Sequence, residues 1–426
     1  MIHKLRSKIK SFLAPILLHL AVAIDSPAMA AWVMAWVSWQ IGKGQVRILC
    51  LGRSIFVDDL KAMVKYSGQI EYVVVRLQRF ESILSYYVRG QERKAITEQN
   101  YYTTEAGRSG RRHYHEFLKR LLPLLRRKLG FDAILSGNLA YVVQQEPMRV
   151  AAQLGISFIV LHKEAMDVYG GILETYSSYK FFGTKFLFYN QLIRDEVVGR
   201  VQGLTMEKTV VVGIPRFDSY FRDSSKPKSK QITFFSFFPN DKFLATIKDE
   251  QKSAEIKSSY AAFHKLVIEF AAQHPDYKVT IKTKASPHYL NYVLNIYKEV
   301  HSNLLSNLTI TSFAKASQLI HESEAIIGFD STVLIEAIAL GRPIVCPDFR
   351  DFSLDRSWDF LAGFEKLVNY VKTKADLEKF FTGEITYPDP EARKRFLHHL
   401  IGQTDGQASV RTEQEIIKTI NEERSK

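Results

Sequence analysis

The sequence contains little cysteine. Its 426 residues include only Cys50 and Cys346, and both lie in apolar runs typical of buried strands. Two isolated thiols argue against a disulfide framework and a cysteine-based metal site, so we expect both to be buried and reduced. Internal repeats and low-complexity tracts are also missing from the sequence. With 46% hydrophobic and 24% charged residues, the composition excludes disordered and collagen-like classes, and the length allows two domains.

The chain also lacks an uninterrupted apolar run of the roughly 18 residues that a transmembrane helix needs. Residues 11–41 hold Asp25 as their only formal charge, and Asp25 and Pro27 divide this apolar segment into shorter pieces. Three interpretations of residues 1–45 remain open. They are a secretory signal peptide with Ala28, Met29 and Ala30 as its cleavage site, a membrane-associating or re-entrant segment with Trp32, Trp36 and Trp39 at the interface, and a pair of helices packed on the first domain.

Acidic residues are too few to balance the basic ones, and the net charge is +13. Residues 1–10 contribute +4 and residues 107–129 contribute +7, and both segments also carry apolar residues. This composition is typical of helices that lie on an anionic membrane. Nucleic acid is not favoured as a partner, because no zinc-finger, helix-turn-helix or RNP-like pattern accompanies the charge. For residues 107–129 an alternative stays open, in which the leucines dock into the core, the basic face is solvated and Pro123 kinks or interrupts the helix.

From Val46 onward, strand-like apolar runs alternate with helical patterns, which predicts doubly wound α/β domains. The polar stretch at residues 223–230, DSSKPKSK, is the best candidate for a linker. We therefore expect a first domain over residues 46–222, a second over residues 231–390 and further helices over residues 391–426. Residues 78–107 show no clear period and are expected to form a long excursion.

Residues 325–346 are the most informative segment of the chain. Their pattern predicts a strand that ends at Gly328, a tight turn, a helix capped near Ser331 and Thr332, and a second strand. In a parallel sheet such a turn lies at the carboxyl end of its strand, where open α/β sheets bind ligands. Backbone N–H groups and hydroxyls at the start of a helix suit a phosphate.

Two acidic residues of the same segment could contact a sugar. Glu336 follows one turn into the helix, where its carboxylate could accept hydrogen bonds from sugar hydroxyls. Asp330 lies in the turn and either receives the sugar or stabilises the turn through an Asx bond. A nucleotide diphosphate sugar offers both the phosphate and the hydroxyls that this segment suits.

This segment resembles the nucleotide-binding half of GT-B glycosyltransferases and of the UDP-N-acetylglucosamine 2-epimerases. The chain is more similar to surface and capsular polysaccharide biosynthesis proteins, because further elements recur in order. These are Lys163 and Glu164 after a strand, residues 212–218 (VGIPRFD), residues 281–284 (IKTK) and residues 328–343. The resemblance implies a GT-B fold, in which two Rossmann-like domains face each other across a cleft and the second holds the nucleotide, here with an N-terminal hydrophobic and basic helical extension.

On the acceptor side, an inverting transferase of this kind needs a general base near the acceptor hydroxyl. Glu164 is our first candidate, because it closely follows the strand predicted at residues 156–161. Asp167 and His162 are the alternatives. On position alone, Lys163 and Glu164 are equally well a surface ion pair of little consequence.

On the donor side, Lys282 and Lys284 follow a predicted strand. Because side chains alternate along an extended chain, both lysines are expected to point at one diphosphate. His288 lies in the next loop, but its order after Pro287 reverses the His-Pro that many proteins of the resembled group carry, which leaves its role open. Solvated lysines at a strand end are the alternative interpretation.

Four further residues are weaker candidates. Ser236 and Asn240 follow the first strand of the second domain, where backbone N–H groups can meet a phosphate. Arg216 and Asp218 lie in the turn GIPRFDSYF, and we favour for both a structural role, an ion pair that stabilises the connection between the domains.

The resemblance implies a glycosyltransferase that moves a sugar from a nucleotide-sugar donor to a lipid-linked or growing surface polysaccharide, of the capsule or lipopolysaccharide type. Neither a cofactor nor a metal is expected, since N–H dipoles and lysines can stabilise the departing diphosphate. Three alternatives stay open: a nucleotide-sugar 2-epimerase or hydrolase, a polyol-phosphate transferase on the same scaffold, and a non-catalytic scaffold of a polysaccharide assembly complex. The His-Arg-Arg loop and the glycine pair of the epimerases are missing.

The expected function also bears on location. Secretion would separate the enzyme from a cytosolic nucleotide sugar, which argues against the signal peptide. We therefore expect a cytoplasmic protein that is peripherally associated with the inner face of the cell membrane. Its expected partners are the donor, the acceptor and an anionic membrane surface, and not nucleic acid.

Overall fold

The computed structural model describes residues 2–52, 54–163, 168, 172–222, 227–238, 247, 249–350, 359–383 and 385–425. The chain divides into two compact units. The first contains the described residues up to 163, those from Ile172 to Ser219 and those from Ile401 onward, and the second runs from Tyr220 to Leu400. Each unit has its own sheet, built largely of parallel strands, which confirms the predicted α/β class.

Seven described strands form the sheet of the first unit, in the order β1-β3-β2-β4-β5-β6-β7. The pairing of β1 with β3 is antiparallel, and the other pairings are parallel. The central strands are buried on both faces, which is why β4 and β5 consist of fully buried residues. The strands are β1 (Trp39–Ile41), β2 (Val46–Gly52), β3 (Ile70–Arg76), β4 (Ala133–Ser136), β5 (Phe158–Leu161), β6 (Lys185–Phe188) and β7 (Thr209–Val211).

Helices connect and cover these strands, and a 3₁₀ segment occupies Ile172–Ser178. The chain passes from the first unit to the second within α9. The helices up to that point are α1 (Ile2–Ala23), α2 (Pro27–Val37), α3 (Ser54–Tyr66), α4 (Gln78–Tyr87), α5 (Gly90–Ala95), α6 (Arg108–Leu129), α7 (Val142–Gln153), α8 (Gln191–Val197) and α9 (Asp218–Arg222).

The N-terminal segment forms two helices and an edge strand. Helix α2 starts at the N-cap residue Ser26, whose hydroxyl accepts the backbone N–H of Met29 at 3.3 Å. Asp25 has a φ of 48° and turns the chain between the two helices. The pair packs on the first unit, α2 against α6, and β1 extends the sheet. Among the described residues, no helix combines the length and the apolar character needed to cross a bilayer.

Helix α6 buries its apolar side. Tyr114, Phe117, Leu118, Leu121, Leu122 and Leu125 are all fully buried, so the structure favours the docked interpretation of this segment. Pro123 lies inside the helix without ending it, and Gly130 caps the helix in a left-handed conformation. Residues 78–107, whose sequence shows no clear period, include the helices α4 and α5. Each of these helices is too short, at ten and six residues, to show a clear period in the sequence.

Six described strands form the sheet of the second unit, in the order β10-β9-β8-β11-β12-β13, and all their pairings are parallel. The order changes direction at β8, so chain connections leave β8 toward both sides of the sheet. The strands are β8 (Gln231–Phe235), β9 (Lys278–Lys282), β10 (Leu308–Thr311), β11 (Ala325–Ile327), β12 (Ile344–Pro347) and β13 (Val368–Val371).

The helices of the C-terminal half complete both units. Five cover the second sheet, α15 continues that unit, and α16 belongs to the first unit, so the predicted C-terminal segment 391–426 is divided between them. Both cysteines are buried as expected, and burial raises the pKa of each thiol. The helices are α10 (Glu250–Gln273), α11 (Pro287–Val300), α12 (Ala316–Glu322), α13 (Thr332–Ala339), α14 (Lys374–Thr382), α15 (Pro390–Leu400) and α16 (Ala408–Arg424).

Candidate functional site

The carboxyl ends of the strands in the second unit meet at one edge of the sheet. The register places Phe235 of β8 beside Lys282 of β9, and Phe234 of β8 beside Ile327 of β11. Ser236, Lys282 and Gly328 therefore lie at three neighbouring strand ends. The backbone N–H of Ser236 donates to the carbonyl oxygen of Lys282 at 2.9 Å. The structure thus brings together three of the segments that the sequence singled out.

The turn from Gly328 to Thr332 leads from β11 into α13. A Cβ atom at Gly328 would lie 3.0 Å from Leu334 of the helix, so glycine permits the close approach. Asp330 has a φ of 42°, in the left-handed region that Asp tolerates better than most residues. Ser331 is the N-cap residue, and its carbonyl oxygen accepts the N–H of Leu334 at 3.0 Å. The predicted strand, turn and helix are all present.

The two ends of α13 differ in their partners. At the C-terminal end, the Arg393 guanidinium donates to the carbonyl oxygens of Ile338 at 2.7 Å and Ala339 at 2.5 Å. At the N-terminal end, the first backbone N–H groups have no intrahelical acceptors. Among the described residues, the Ser331 hydroxyl makes no capping hydrogen bond either. The helix therefore presents its positive end, with a hydroxyl beside it, at the carboxyl edge of the sheet.

Glu336 lies in the second turn of α13 and is only 7% exposed. Its Oε2 accepts a short hydrogen bond of 2.5 Å from the hydroxyl of Tyr220, a residue of α9 that stacks on His321. This contact gives the carboxylate a structural partner that the sequence did not reveal. The role of Glu336 toward a sugar stays a prediction.

Ser236 is bound to a histidine that sequence reasoning missed. His264 of α10 is fully buried, and its Nδ1 lies 2.7 Å from the carbonyl oxygen of Tyr260. A carbonyl can only accept, so Nδ1 carries the ring proton, and Nε2 accepts from the Ser236 hydroxyl at 2.8 Å. Burial lowers the pKa of His264 to about 4. The signal in the sequence was a histidine at a helical spacing among apolar residues, a pattern that ordinarily indicates only core.

The two lysines have different partners. The Lys282 ammonium donates to the carbonyl oxygens of Thr283 at 2.5 Å and Ser312 at 3.2 Å, and burial lowers its pKa. The Lys284 ammonium is 5.4 Å from the ring centroid of Tyr289. Simple alternation did not foresee this, because Thr283 and Lys284 lie beyond the last residue of β9. Whether both lysines contact one anion stays a prediction, and both follow the same strand end.

His288 is the second residue of α11 and is exposed. Its ring packs edge-on against Phe238, with 4.5 Å between the centroids. Phe238 belongs to the segment that follows β8, so this contact links the segments that follow β8 and β9. Asn240, a further candidate in that segment, lies outside the described residues.

An aromatic cluster lies under the turn of β11. Phe329 packs against Phe237, Tyr260 and Phe349, with ring centroids 4.9 to 5.9 Å apart. Next to it is a small pocket with a cavity volume of about 20 Å³, with Phe329, Asp330, Cys346, Phe349, Arg350, Asp359 and Tyr370 among its lining residues. None of its aromatic residues was singled out by the sequence.

Arg350 is the cation of this pocket. Its guanidinium lies 4.0 Å from the ring centroid of Tyr370 and pairs with Asp348 at 2.7 Å. The hydrogen bond from Arg350 holds the pKa of the Asp348 carboxyl below its usual value.

In the first unit, the candidate bases are only partly described. His162 follows β5 and is 1% exposed, and its Nε2 lies 3.0 Å from the Tyr176 hydroxyl. The ring also packs against Phe186 and Phe188. Burial of this kind keeps the ring away from solvent. Glu164 and Asp167 lie outside the described residues.

Arg216 and Asp218 hold parts of the first unit together. Arg216 pairs with Asp59 of α3 at 3.1 Å, and its guanidinium also donates to the Tyr189 hydroxyl at 2.9 Å. Burial raises the pKa of Asp59 despite the nearby cation. Asp218 accepts the backbone N–H groups of Ala408 at 2.9 Å and Ser409 at 2.8 Å, at the start of α16. Both contacts are structural, but that of Asp218 is a helix cap and not the expected ion pair.

No set of three or more His, Cys, Asp or Glu side chains in the described part of the chain is placed to hold a metal ion. Separately, the groups that could meet negative charge on a ligand at this edge are a helix start and basic side chains. Those groups are the first turn of α13, Lys282, Lys284 and Arg350.

No family model matches the chain, and no curated protein is similar to it in sequence. Solved structures with a similar fold do exist. A putative UDP-N-acetylglucosamine 2-epimerase from Listeria monocytogenes matches with a TM-score of 0.51 and 12% identity, over 89% of this chain and 98% of that one. The UDP-GlcNAc 2-epimerase from Neisseria meningitidis gives 0.49 and 14%, over 88% and 100%. MurG from Acinetobacter baumannii gives 0.41 and 12%, over 89% and 100%.

Identities this low carry information about the fold alone. The first of these matches, together with the two largely parallel sheets, shows that the chain has a GT-B-type scaffold related to that of the 2-epimerases. The resemblance inferred from the sequence is confirmed at this level.

Proposed function

We propose that the protein is a metal-independent glycosyltransferase that uses a nucleotide-sugar donor. One observation carries the proposal: the first turn of α13, Ser236 and Lys282 lie at neighbouring strand ends of one parallel sheet. This is the edge at which open α/β sheets bind ligands. The scaffold, which the chain shares with enzymes of nucleotide sugars, supports the same class of ligand.

In the proposed complex, the diphosphate lies at the first turn of α13, where N–H dipoles and the hydroxyls of Ser331 and Thr332 can donate to it. As the glycosidic bond to the diphosphate breaks, negative charge grows on the leaving oxygen, and the same dipoles stabilise it without a metal. Glu336 is proposed to contact ribose hydroxyls. Glu164 of the first unit, with Asp167 and His162 as alternatives, is proposed to remove the proton of the acceptor hydroxyl.

We further propose that the acceptor is a lipid-linked or growing surface polysaccharide at the cytoplasmic face of the cell membrane. The ordered set of motifs shared with capsular and surface polysaccharide proteins supports the acceptor class. The basic, apolar N-terminal segment supports the location. A capsule-type or lipopolysaccharide-type product remains part of the proposal.

A binding screen tests the donor class. The purified protein is heated with UDP, CDP, CMP and GDP sugars, and a true donor raises the melting temperature, because it binds only the folded state. At a free concentration 100 times its dissociation constant, a ligand stabilises by about 2.7 kcal/mol. No shift with any nucleotide sugar would contradict the proposal.

Variants separate binding from catalysis. Glu336→Ala is expected to abolish the donor-induced shift, whereas Glu164→Ala is expected to keep the shift and remove turnover. Tyr220→Phe is the matched control for Glu336→Ala, since it removes the same internal hydrogen bond and leaves the carboxylate in place. If Tyr220→Phe loses donor binding as fully as Glu336→Ala does, the carboxylate supports the local structure through its bond to Tyr220 and does not itself contact the donor. Equal loss of binding in Glu336→Ala and Glu164→Ala would refute both roles.

The products distinguish the competing activities on this scaffold. Transfer from a nucleoside diphosphate sugar releases a nucleoside diphosphate, whereas transfer of a polyol phosphate from a CDP-polyol releases CMP. A 2-epimerase, the activity named for the Listeria and Neisseria proteins, would invert the configuration at C2 of the sugar in UDP-N-acetylglucosamine and would need no acceptor. A protein that binds the donor and turns over none of these substrates would be a scaffold.

A further inference from the structure

Helix α1 exposes an apolar face. Ile9, Phe12, Leu13, Ile16, Leu20 and Ile24 are exposed side chains in and just beyond the helix, and we call them the outer stripe. Their spacing of three and four residues places them on one side of the helix. Ala14, Leu18, Ala21 and Val22 lie on the other side and are buried.

This arrangement is the reverse of what a surface helix in water normally shows. Such a helix buries its apolar side and turns polar residues outward. In α1 the buried side is made of small and medium apolar residues, while the solvent side carries larger ones, with Phe12 72% exposed and Ile16 55% exposed. Contiguous exposed apolar surface of this kind marks an interaction site.

The charge around the outer stripe favours one kind of partner. Residues 1–24 contain Lys4, Arg6, Lys8 and Lys10 and no acidic residue. The first acidic residue, Asp25, is bound by the guanidinium of Arg120 at 2.5 Å. An apolar stripe within a purely basic segment is complementary to an anionic lipid surface. A second copy of the chain is a less favourable partner, because it would bring a second basic segment against the first and the like charges would repel.

Aromatic residues next to α1 fit the same partner. Trp32 of α2 is half exposed and stacks on Trp36, with 5.8 Å between their centroids. The ammonium of Lys10 donates to the Trp36 carbonyl at 2.8 Å and lies 5.3 Å from its ring centroid. Tryptophan side chains favour the headgroup region of a bilayer, because the ring is apolar and the indole N–H is polar.

We propose that α1 lies flat in the headgroup region of an anionic bilayer, with the outer stripe embedded among the acyl chains and the positive charge of residues 1–10 attracting the anionic headgroups. This goes beyond the location proposed above by naming the residues that enter the lipid. It rests on that location and not on the transferase reaction, so vesicle binding and turnover can fail independently. The embedded surface is a face of a helix and needs no span across the bilayer.

Co-sedimentation of the full-length protein with vesicles tests the proposal. Vesicles of phosphatidylcholine alone are compared with a ~7:3 mixture of phosphatidylcholine and phosphatidylglycerol. The wild type is expected to bind the anionic vesicles. Phe12→Asp and Ile16→Asp are each expected to weaken binding by about tenfold to a hundredfold, the factor that corresponds to losing one buried apolar side chain.

Phe313→Asp is the matched control. Phe313 belongs to the second unit and is 90% exposed, so the control makes the same chemical change at an exposed phenylalanine that is not part of the stripe. It is expected to leave vesicle binding unchanged. Thermal unfolding of each variant checks that the fold is retained. Replacing Lys4, Arg6 and Lys8 by Gln is expected to weaken binding by about fivefold per charge.

Three results would overturn the proposal. The first is that the wild type binds neither kind of vesicle, or binds neutral and anionic vesicles equally. Another is vesicle binding that Phe12→Asp and Ile16→Asp leave intact. The third is a dimer in analytical ultracentrifugation without lipid that these two variants convert to a monomer, because a second copy would then cover the stripe.

Discussion

Helices α1 and α6 have much in common in sequence and are used in opposite ways by the fold. Each is 22 residues long, contains one proline and combines basic with apolar residues. In α6 one aromatic and leucine-rich side is fully buried, and most of the basic residues are exposed. In α1 the apolar side chains of the outer stripe are exposed, and Leu18 is the largest apolar residue on the buried side. The composition of both segments suggested that they bind a membrane. Of the two helices, α1 leaves an apolar side exposed for such binding, and α6 does not.

The difference lies in what each helix packs against. The apolar residues of α6 meet α2, α4 and α7, so that side has partners within the first unit. Helix α1 packs on α2 and α4 through a narrower side made of Ala14, Leu18, Ala21 and Val22. Helix α6 thus has three helical neighbours, and α1 has two.

The largest expected effect comes from truncating one leucine in each helix. Leu121→Ala in α6 should lower the free energy of unfolding by about 2–5 kcal/mol, because it leaves a cavity in a fully buried site. Leu13→Ala in α1 makes the same chemical change at a side chain that is 37% exposed, and should cost less than about 0.5 kcal/mol. Urea denaturation of both variants measures the contrast.

Equal losses in the two variants would mean that the stripe of α1 is packed in solution. That result would remove the contrast between the helices and with it the surface assigned to lipid.

Two histidines of the second unit also have similar side chains but lie in different surroundings. The sequence singled out His288, which is exposed, and overlooked His264, which is buried and bound to Ser236. The pKa of His264 is lowered to about 4 by burial, against about 6.5 in an unfolded chain. Between these values the unfolded state binds the extra proton, so stability falls as the pH is lowered through this window. The free energy of unfolding should drop by up to about 3 kcal/mol from pH 7 to pH 4 through this group.

His264→Asn is expected to flatten that dependence on pH. Ser236→Ala is the matched control, because it removes the hydroxyl partner and keeps the titrating ring, and therefore should keep the slope. A slope that survives in His264→Asn would assign it to other groups.

Two aspartates that cap helices offer a third comparison of a buried and an exposed site. Asp218 is 1% exposed and accepts the first N–H groups of α16, while Asp249 is exposed and accepts those of Gln251 and Lys252 in α10. Asp218→Ala should cost about 2 kcal/mol, because it leaves buried donors without an acceptor. Asp249→Ala should cost about 1 kcal/mol, because water can replace the lost acceptor. Thermal unfolding of both variants measures the difference, and a cost at Asp249 equal to that at Asp218 would contradict it.

The second unit was more predictable from sequence than the first for a physical reason. Its strand, turn and helix at residues 325–346 follow local rules, since Gly328, Ser331 and Gly341 mark the ends of elements wherever they occur in a chain. The scaffold could be inferred because such units recur in order. Hydrogen bonds between residues distant in sequence could not be inferred. The bonds from Tyr220 to Glu336, from Ser236 to His264 and from Arg393 to the end of α13 join residues that are 28 to 116 positions apart. Nothing local in the sequence indicates which of those residues meet.

The smallest expected effect concerns the ion pair that joins the two compared helices. Asp25, at the turn after α1, receives two hydrogen bonds from Arg120 of α6, and the bond from Arg120 lowers the pKa of the Asp25 carboxyl. Both side chains are at least half exposed, so water and salt screen the pair, and its coupling energy should be only about 0.2–1 kcal/mol. Asp25→Asn and Arg120→Gln, alone and together, give a double-mutant cycle, and Asn suits the left-handed backbone of this position. The coupling should be present above about pH 4, fade as the pH falls below the ordinary range of an aspartate, and shrink as salt is added. A coupling well above about 1 kcal/mol that is insensitive to salt would mean that the pair is shielded from water, and α1 would then be held on the first unit by charge as firmly as α6 is held by its leucines.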